Sequence, residues 1–134
     1  MTQMSDEKLI YHEVPFYTKA EMIKMLKDEN IKKDDVIDII LCAAMNEICF
    51  KFAEKVCRKF IKSDDLDIRE IAVDSVAHIA RVYGKPVDVK ILNHVVKAYE
   101  GGHAGLRSRA EYVFGDIQVF LNLDLYKYKV VRKT

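Results

Sequence analysis

Apolar residues recur along this chain with the spacing of helices, and one stretch nearly repeats itself, since the pattern that begins at Ile68 begins again at Leu106. From Ile68 onward the apolar positions fall at i, i+4, i+8, i+11 and i+14, which is the spacing of one buried helix face. A fixed period of this length predicts stacked helical hairpins, because each hairpin is too small to bury its apolar face alone. The matched pairs are Ile68 and Leu106, Ala72 and Ala110, Val76 and Phe114, Ile79 and Ile117, and Val82 and Phe120.

Capping residues at the ends of the apolar stripes predict six helices. Thr18 and Glu21 have the spacing of a capping box at the start of the first helix, which we expect to end near Asn30. Gly84 is placed to end the fourth helix, with Pro86 two residues beyond it. The predicted helices begin after Thr18, at Lys33 or Asp34, at Ile48, at about Leu66, after Asp88 and at Ala104, and the sixth ends at about Leu121.

These helices predict an all-α fold of three stacked antiparallel hairpins, over residues 18–46, 48–83 and 87–121. The first hairpin matches the period only loosely, as terminal repeats that cap a stack often do. We expect one domain over residues 1–134, long enough to bury about 68% of its unfolded surface. Residues 1–17 have no helical period, and the tail 123–134 fits a strand, a short helix or a disordered segment.

Charge and leader signals point to a cytoplasmic protein. The formal net charge is +1, divided as −3 over residues 1–67 and +4 over residues 68–134. Much of the second figure comes from the tail, and nothing resembles the dense basic face of a dedicated nucleic-acid binder. The N-terminus lacks a signal-peptide pattern, and no apolar run is long enough to span a membrane. We therefore expect reduced cysteines and no membrane partner.

No residue set has the spacing of a metal, cofactor or nucleophile site. Cys42, Cys49 and Cys57 are seven and eight residues apart among apolar neighbours, which favours core thiols. The three glycines between Gly101 and Gly105 lack the following Lys and Ser or Thr of a phosphate loop. The sequence thus predicts no cofactor and no metal, and it favours a protein that is not an enzyme.

The segment SDDLDIREIAVDSVAHIARVYG resembles a HEAT repeat, in which an aspartate and an arginine sit at the turn into the second helix. Here these residues are Asp67 and Arg69. The resemblance implies that the aspartate caps its helix and that the arginine bridges to the neighbouring unit. The third hairpin keeps Arg107 but has Gly105 in place of the aspartate.

A closer resemblance covers about residues 33–122. It rests on Ile68-Arg69, the segment Ala77-His78-Ile79-Ala80-Arg81 with Gly84, Arg109-Ala110-Glu111, and Gly115-Asp116-Ile117 through Phe120. These resemble small bacterial HEAT-like proteins that are immunity partners of polymorphic and contact-dependent growth inhibition (CDI) toxins. The resemblance implies a HEAT-like α-solenoid fragment that binds a cognate toxin domain and occludes its active site. Gly115 departs from the family pattern, which has an aspartate there.

Candidate partner contacts come from two acidic clusters and one pair of side chains. Acidic residues at helix starts can serve as caps, but in stacked hairpins they also share one edge that could face a basic nuclease toxin. His78 and Arg81 lie three apart on one helix face and could contact the toxin or form a proton-transfer pair. Alternatively, Arg81 bonds to helix-end carbonyls or to an acid on the next helix, and His78 fills a half-buried groove. The clusters are Asp34, Asp35 and Asp38, then Asp64, Asp65 and Asp67.

Two other functions stay open from the sequence. A nucleic-acid-binding HEAT-like module would need four arginines and the basic tail to converge, and the acidic helix starts argue against it. A generic helical-repeat adaptor is the other alternative. The sequence does not determine the toxin type or the oligomeric state. The arginines are Arg69, Arg81, Arg107 and Arg109.

Overall fold

A computed structural model describes residues 15–121 of this protein as a set of six α-helices joined by short connections. No strand occurs within that range, so the all-α prediction is confirmed for it. The predictions for residues 1–14 and for the tail 123–134 lie outside the described residues. The helices are α1 Lys19–Leu26, α2 Lys33–Met45, α3 Phe50–Phe60, α4 Leu66–Tyr83, α5 Val89–Glu100 and α6 Ala104–Leu121.

Helix α1 begins as predicted but ends early. The Glu21 backbone N–H donates to Thr18 Oγ1 at 3.1 Å, and the Thr18 N–H donates to Glu21 Oε1 at 2.8 Å, which completes the capping box. The prediction that α1 reaches about Asn30 is wrong, because it ends at Leu26. The Asp28 carboxylate accepts from the Asn30 N–H at 2.9 Å, so a side-chain turn competes with further helix there.

Helix α4 has the predicted bounds, but a different aspartate caps it. Asp65 accepts hydrogen bonds from the backbone N–H groups of Asp67 at 3.0 Å and Ile68 at 3.2 Å. The role implied for Asp67 as the cap is therefore wrong. Its carboxylate instead lies 2.6 Å from Lys33 Nζ at the start of α2. Gly84 ends α4 in the left-handed conformation, with φ of 70°, as expected for a glycine after a helix.

Helix α6 is capped by His103, which lies at the repeat position that Asp65 occupies before α4. The Leu106 backbone N–H donates to His103 Nδ1 at 3.2 Å, which is the interaction that an N-cap side chain makes. The interval from Asp65 to His103 equals that from Ile68 to Leu106, so the two caps occupy the same repeat position. The Glu70 carboxylate lies close to the backbone at Gly105. A β-carbon added to this glycine would lie only 2.9 Å from Glu70 Oε2, so a larger residue would displace the carboxylate. The repeat therefore keeps its capping position and changes the residue type.

The second helices of the predicted hairpins follow the sequence period closely. Helix α4 begins at Leu66 and α6 at Ala104, and this interval equals the one from the end of α2 at Met45 to the end of α4 at Tyr83. Helix α4 has 18 residues, whereas α2 has 13 because it begins later in its unit. The loose match of the first unit thus lies at the start of its second helix and not at the end.

Helix α4 is central to the packing. It contacts α2, α3 and α6, while α5 packs on α6 and α1 on α2. Matched repeat positions lie in one apolar core, where Ala72, Ile79, Ala110 and Ile117 have no exposed surface. The Tyr83 hydroxyl joins three segments, because it donates to the Ala43 carbonyl at 3.3 Å and accepts from the Cys49 N–H at 3.2 Å.

Two of the three thiols are core groups, as the sequence predicted. Cys42 and Cys57 are buried, and Cys49 is half-buried. Burial raises the pKa of Cys57 to about 12, so its thiol stays protonated at neutral pH.

Candidate functional site

An open groove of about 760 Å³ runs between α4 and α6 and contains both members of the predicted His78 and Arg81 pair. The two residues lie on α4, and the opposite wall comes from the outward face of α6. The groove exists because the repeat places two equivalent helices side by side, with their apolar stripes turned to the core and their polar faces turned out. Its other lining residues are Asp74, Ala77, Ser108, Arg109, Glu111, Tyr112, Val113, Gly115, Asp116 and Val119.

Ion pairs between the two helices span this groove. Arg109 on α6 reaches back to α4, where its Nε lies 3.2 Å from Glu70 Oε1 and its Nη1 donates to Asp74 Oδ2. Arg81 on α4 reaches forward, with Nη2 at 3.7 Å from Asp116 Oδ2 on α6. Burial raises the pKa of Asp74, and the Arg109 guanidinium opposes that shift. Both guanidinium groups are thus matched by carboxylates on the facing helix.

His78 is neutral at pH 7 in this setting. Burial and then the Arg81 charge lower the pKa of its imidazole, and the Asp116 carboxylate opposes them. The side chain is half-buried in the groove, as the structural alternative to toxin contact predicted. Arg81 pairs with Asp116 on α6, which is the facing helix and not the next one along the chain. A role of this pair in partner binding stays a prediction.

Two exposed apolar side chains on α6 were missed from the sequence. Tyr112 is 71% exposed and Val119 is 79% exposed, and both line the groove. They lie seven residues apart, so both belong to one side of the helix. The repeat predicted only the core-facing stripe of α6, which is formed by Leu106, Ala110, Phe114, Ile117 and Phe120. A tyrosine and a valine on the opposite, polar face were the available signal.

The two aspartate clusters at the starts of α2 and α4, here called the acidic edge, are only partly accessible to a partner. The starts of α2 and α4 do meet, since Lys33 Nζ lies 3.3 Å from Asp65 Oδ2 as well as close to Asp67. A lysine therefore sits between the two clusters and balances part of their charge. Hydrogen bonding to the Ile68 N–H is the main cause that lowers the pKa of Asp65, and Lys33 adds to it.

Individual aspartates of this edge differ in exposure. Asp34 and Asp64 are exposed, whereas Asp35 and Asp38 are half-buried. Burial is the main cause that raises the pKa of the Tyr17 hydroxyl, and the charges of Asp38 and Asp35 add to it. Tyr17 therefore lies near these two carboxylates. Asp67 is exposed as well but pairs with Lys33, so Asp34 and Asp64 are the exposed carboxylates that a partner can reach most easily.

The four arginines of the nucleic-acid alternative do not present a shared basic surface. Arg81 and Arg109 pair with carboxylates across the groove. Arg107 lies over the Tyr99 ring, 4.7 Å from its centroid. The Nε of Arg69 is buried without a hydrogen-bond partner. Three of the four charges are therefore engaged by groups of this chain.

The described residues contain neither a candidate metal site nor a helix that could span a membrane. Within residues 15–121, no three side chains of His, Cys, Asp or Glu are grouped so that they could hold a metal ion. None of the helices in that range has both the length and the apolar character needed to cross a bilayer.

The fold is shared with a protein of known structure. A chain in the crystal structure of a CDI complex from Cupriavidus taiwanensis LMG 19424 superposes with a TM-score of 0.64 and is 24% identical in sequence. The match covers 84% of this chain and 98% of that chain. No family model matches the sequence, and no curated protein matches it. The likeness thus extends over nearly the whole of the other chain and concerns the fold.

Proposed function

We propose that this chain is an immunity protein that binds a cognate bacterial toxin domain and neutralises it. The observation that carries the proposal is the fold shared over 98% of a chain from a CDI complex. The sequence resemblance to CDI immunity proteins over residues 33–122 supports it from an independent direction. A CDI complex contains protein partners, which supports a protein–protein contact as the role of this chain.

The proposed mechanism is occlusion in a one-to-one complex, with no chemistry by this chain. Three HEAT-like hairpins stacked as a short solenoid would give a rigid surface. The interval between the starts of α4 and α6 equals the interval between the ends of α2 and α4, which supports that arrangement. A rigid surface binds without a large ordering cost. The toxin is proposed to be a nuclease acting in the cytoplasm, where this protein would cover its active site.

Co-purification with the product of the gene immediately upstream tests the proposal. The tagged protein should retain one small domain in a one-to-one complex, identified by mass spectrometry. That domain should kill cells when produced alone and be harmless when this protein is produced with it. A matched culture that produces only the tag controls for expression load.

Two results would reject the immunity role. The first is a neighbouring product that does not bind, and the second is binding without protection from killing. Binding to duplex DNA or RNA that weakens steeply with salt, in the absence of a protein partner, would instead support the nucleic-acid alternative.

A further inference from the structure

We propose that the groove between α4 and α6 is the surface that receives the toxin, and that it takes a basic side chain flanked by apolar surface. This inference rests on the proposed immunity function and names the contact that would carry it. The groove combines three properties that a partner can read: an excess of carboxylates, a pair of exposed apolar side chains, and ion pairs that hold its walls in place.

Among the residues that the structure describes, carboxylates outnumber cations along the groove. Four of these carboxylates lie in it or beside it, from Glu70, Asp74, Glu111 and Asp116, and two guanidiniums of the same range oppose them. His78 adds no charge at pH 7, because burial lowers its pKa. Glu111 is exposed and forms no ion pair with another residue of the described range. The groove therefore has a surplus of negative charge and one carboxylate open to a lysine or arginine from outside.

The apolar contacts lie beside that carboxylate. Tyr112 follows Glu111 directly, and Val119 lies two helical turns further, which is about 10 Å along the axis. Exposed tyrosine is a frequent energetic anchor at interfaces, since it offers a large rigid surface at low entropy cost. A partner with a cation opposite Glu111, one apolar group next to it and a second about 10 Å further along would match this spacing.

The ion pairs make the site preformed. Arg109 ties α6 to Glu70 and Asp74, and Arg81 ties α4 to Asp116. These bonds hold the carboxylates in one arrangement before any partner arrives. Because carboxylates of this chain already neutralise both guanidiniums, an acidic partner would gain little electrostatic attraction from the groove.

A second groove, between α1 and α3, has the opposite character. Its floor is apolar, with Ile23 and Phe52, but its rim carries Lys27, Lys55 and Lys59. A basic nuclease surface would meet three like charges there, which costs free energy in any complex. The same toxin therefore fits the α4/α6 groove and not the α1/α3 groove.

Affinity measurements on matched variants test the inference. The probe is the toxin domain from the upstream gene, inactivated at its own catalytic residue, and binding is measured by calorimetry. Tyr112→Ala should weaken binding about tenfold or more, as the loss of an interface anchor does. Its control is Phe16→Ala, because Phe16 is equally exposed, at 72% against 71%, and lies outside the groove.

A charge reversal gives a second, independent comparison. Glu111→Lys should weaken binding about tenfold near 0.1 M salt, and less at higher salt because ions screen the contact. Glu100→Lys makes the same change in net charge on the exposed end of α5 and should stay within about twofold of wild type. Circular dichroism spectra that match the wild type show that each variant is folded.

The outcomes separate this inference from the proposed function. Weak binding confined to the groove variants supports the inference. Wild-type affinity in both groove variants overturns it and leaves the immunity function standing. A wild-type protein that does not bind the toxin domain rejects the function, and the inference falls with it. A dimer of this chain alone that Tyr112→Ala dissociates would assign the groove to a second copy and overturn the inference as well.

Discussion

Two glycines of this chain should respond oppositely to the same substitution. Gly84 has φ of 70°, whereas Gly115 lies inside α6, and a β-carbon would have no neighbour within 4 Å at either position. Gly84→Ala should therefore lower the free energy of unfolding by about 1–2 kcal/mol, through backbone strain alone. Gly115→Ala should raise it by up to about 1 kcal/mol, because alanine favours helix more than glycine does.

Urea denaturation of the two variants beside the wild type measures both effects. Each variant serves as the other's control, since the added atoms are the same. A Gly84→Ala protein as stable as the wild type would show that the helix end relaxes to another conformation.

His78 should make the fold less stable in mild acid. Its pKa is 6.5 in the unfolded chain, and burial followed by Arg81 lowers it in the fold. Between the folded value and 6.5 the unfolded chain binds more protons, so the free energy of unfolding rises with pH there. We expect stability to fall as the pH drops through 6.5.

Denaturant titrations at several pH values measure this effect, and His78→Gln should give a shallower slope than the wild type. His94 keeps part of the slope in that variant, because burial and then the charge of Lys97 lower its pKa as well. Equal slopes for the variant and the wild type would show that His78 is not desolvated in the fold.

At the residue scale, the sequence identified positions more reliably than roles. It placed a cap at the start of α4, but the cap is Asp65 and not Asp67, because both are aspartates within one turn and only geometry separates them. His103 was not expected to cap α6, since histidine is an unusual residue there. Tyr112 was missed because its exposure depends on which side of α6 faces the core.

At the scale of elements, α5 depends on one carboxylate at its start. Asp88 accepts from the Lys90 N–H at 2.7 Å, and its own N–H donates to the buried Glu54 carboxylate at 2.6 Å. Asp88→Ala should lower the free energy of unfolding by about 1 kcal/mol, since a helix N–H loses its partner. Asp88→Asn should be nearly neutral, because asparagine caps about as well as aspartate.

Thermal unfolding followed by circular dichroism separates these two variants. Equal losses for alanine and asparagine would mean that the charge of Asp88 matters and the cap does not.

Helix existence was predictable here, and helix ends were predictable where a strong signal marks them. Glycine after Tyr83 and the capping box at Thr18 fixed two boundaries. The end of α1 was not predictable, because an aspartate also occurs within helices. Only the structure shows that the Asp28 side chain accepts from the Asn30 N–H and forms a turn. The repeat period predicted the starts of both α4 and α6, because the same apolar spacing recurs in the two helices.

At the scale of the whole molecule, we expect the acidic edge to affect the association rate and the groove to affect the dissociation rate. Asp34 and Asp64 are exposed but do not line the α4/α6 groove. Changing both to lysine should slow association with the proposed toxin partner a few-fold at low salt and leave dissociation unchanged, because distant charges steer the encounter. Surface plasmon resonance at two salt concentrations measures both rates.

Faster dissociation of this double variant would place the edge within the contact itself. The variant Asp34→Asn with Asp64→Asn is the matched control, because it removes the charge without reversing it. If the lysine and asparagine double variants both associate at the wild-type rate, the acidic edge does not contribute to binding.

The shared period of these helices has a consequence for chain length. Because α4 ends one period after α2 and begins one period before α6, we expect an added copy of the unit to pack on its neighbours in the same way. A duplication of one unit within the gene would then give a longer protein with its end units unchanged. It would also duplicate the cleft between neighbouring second helices, so this scaffold could acquire a new specificity by growing while the original site is retained.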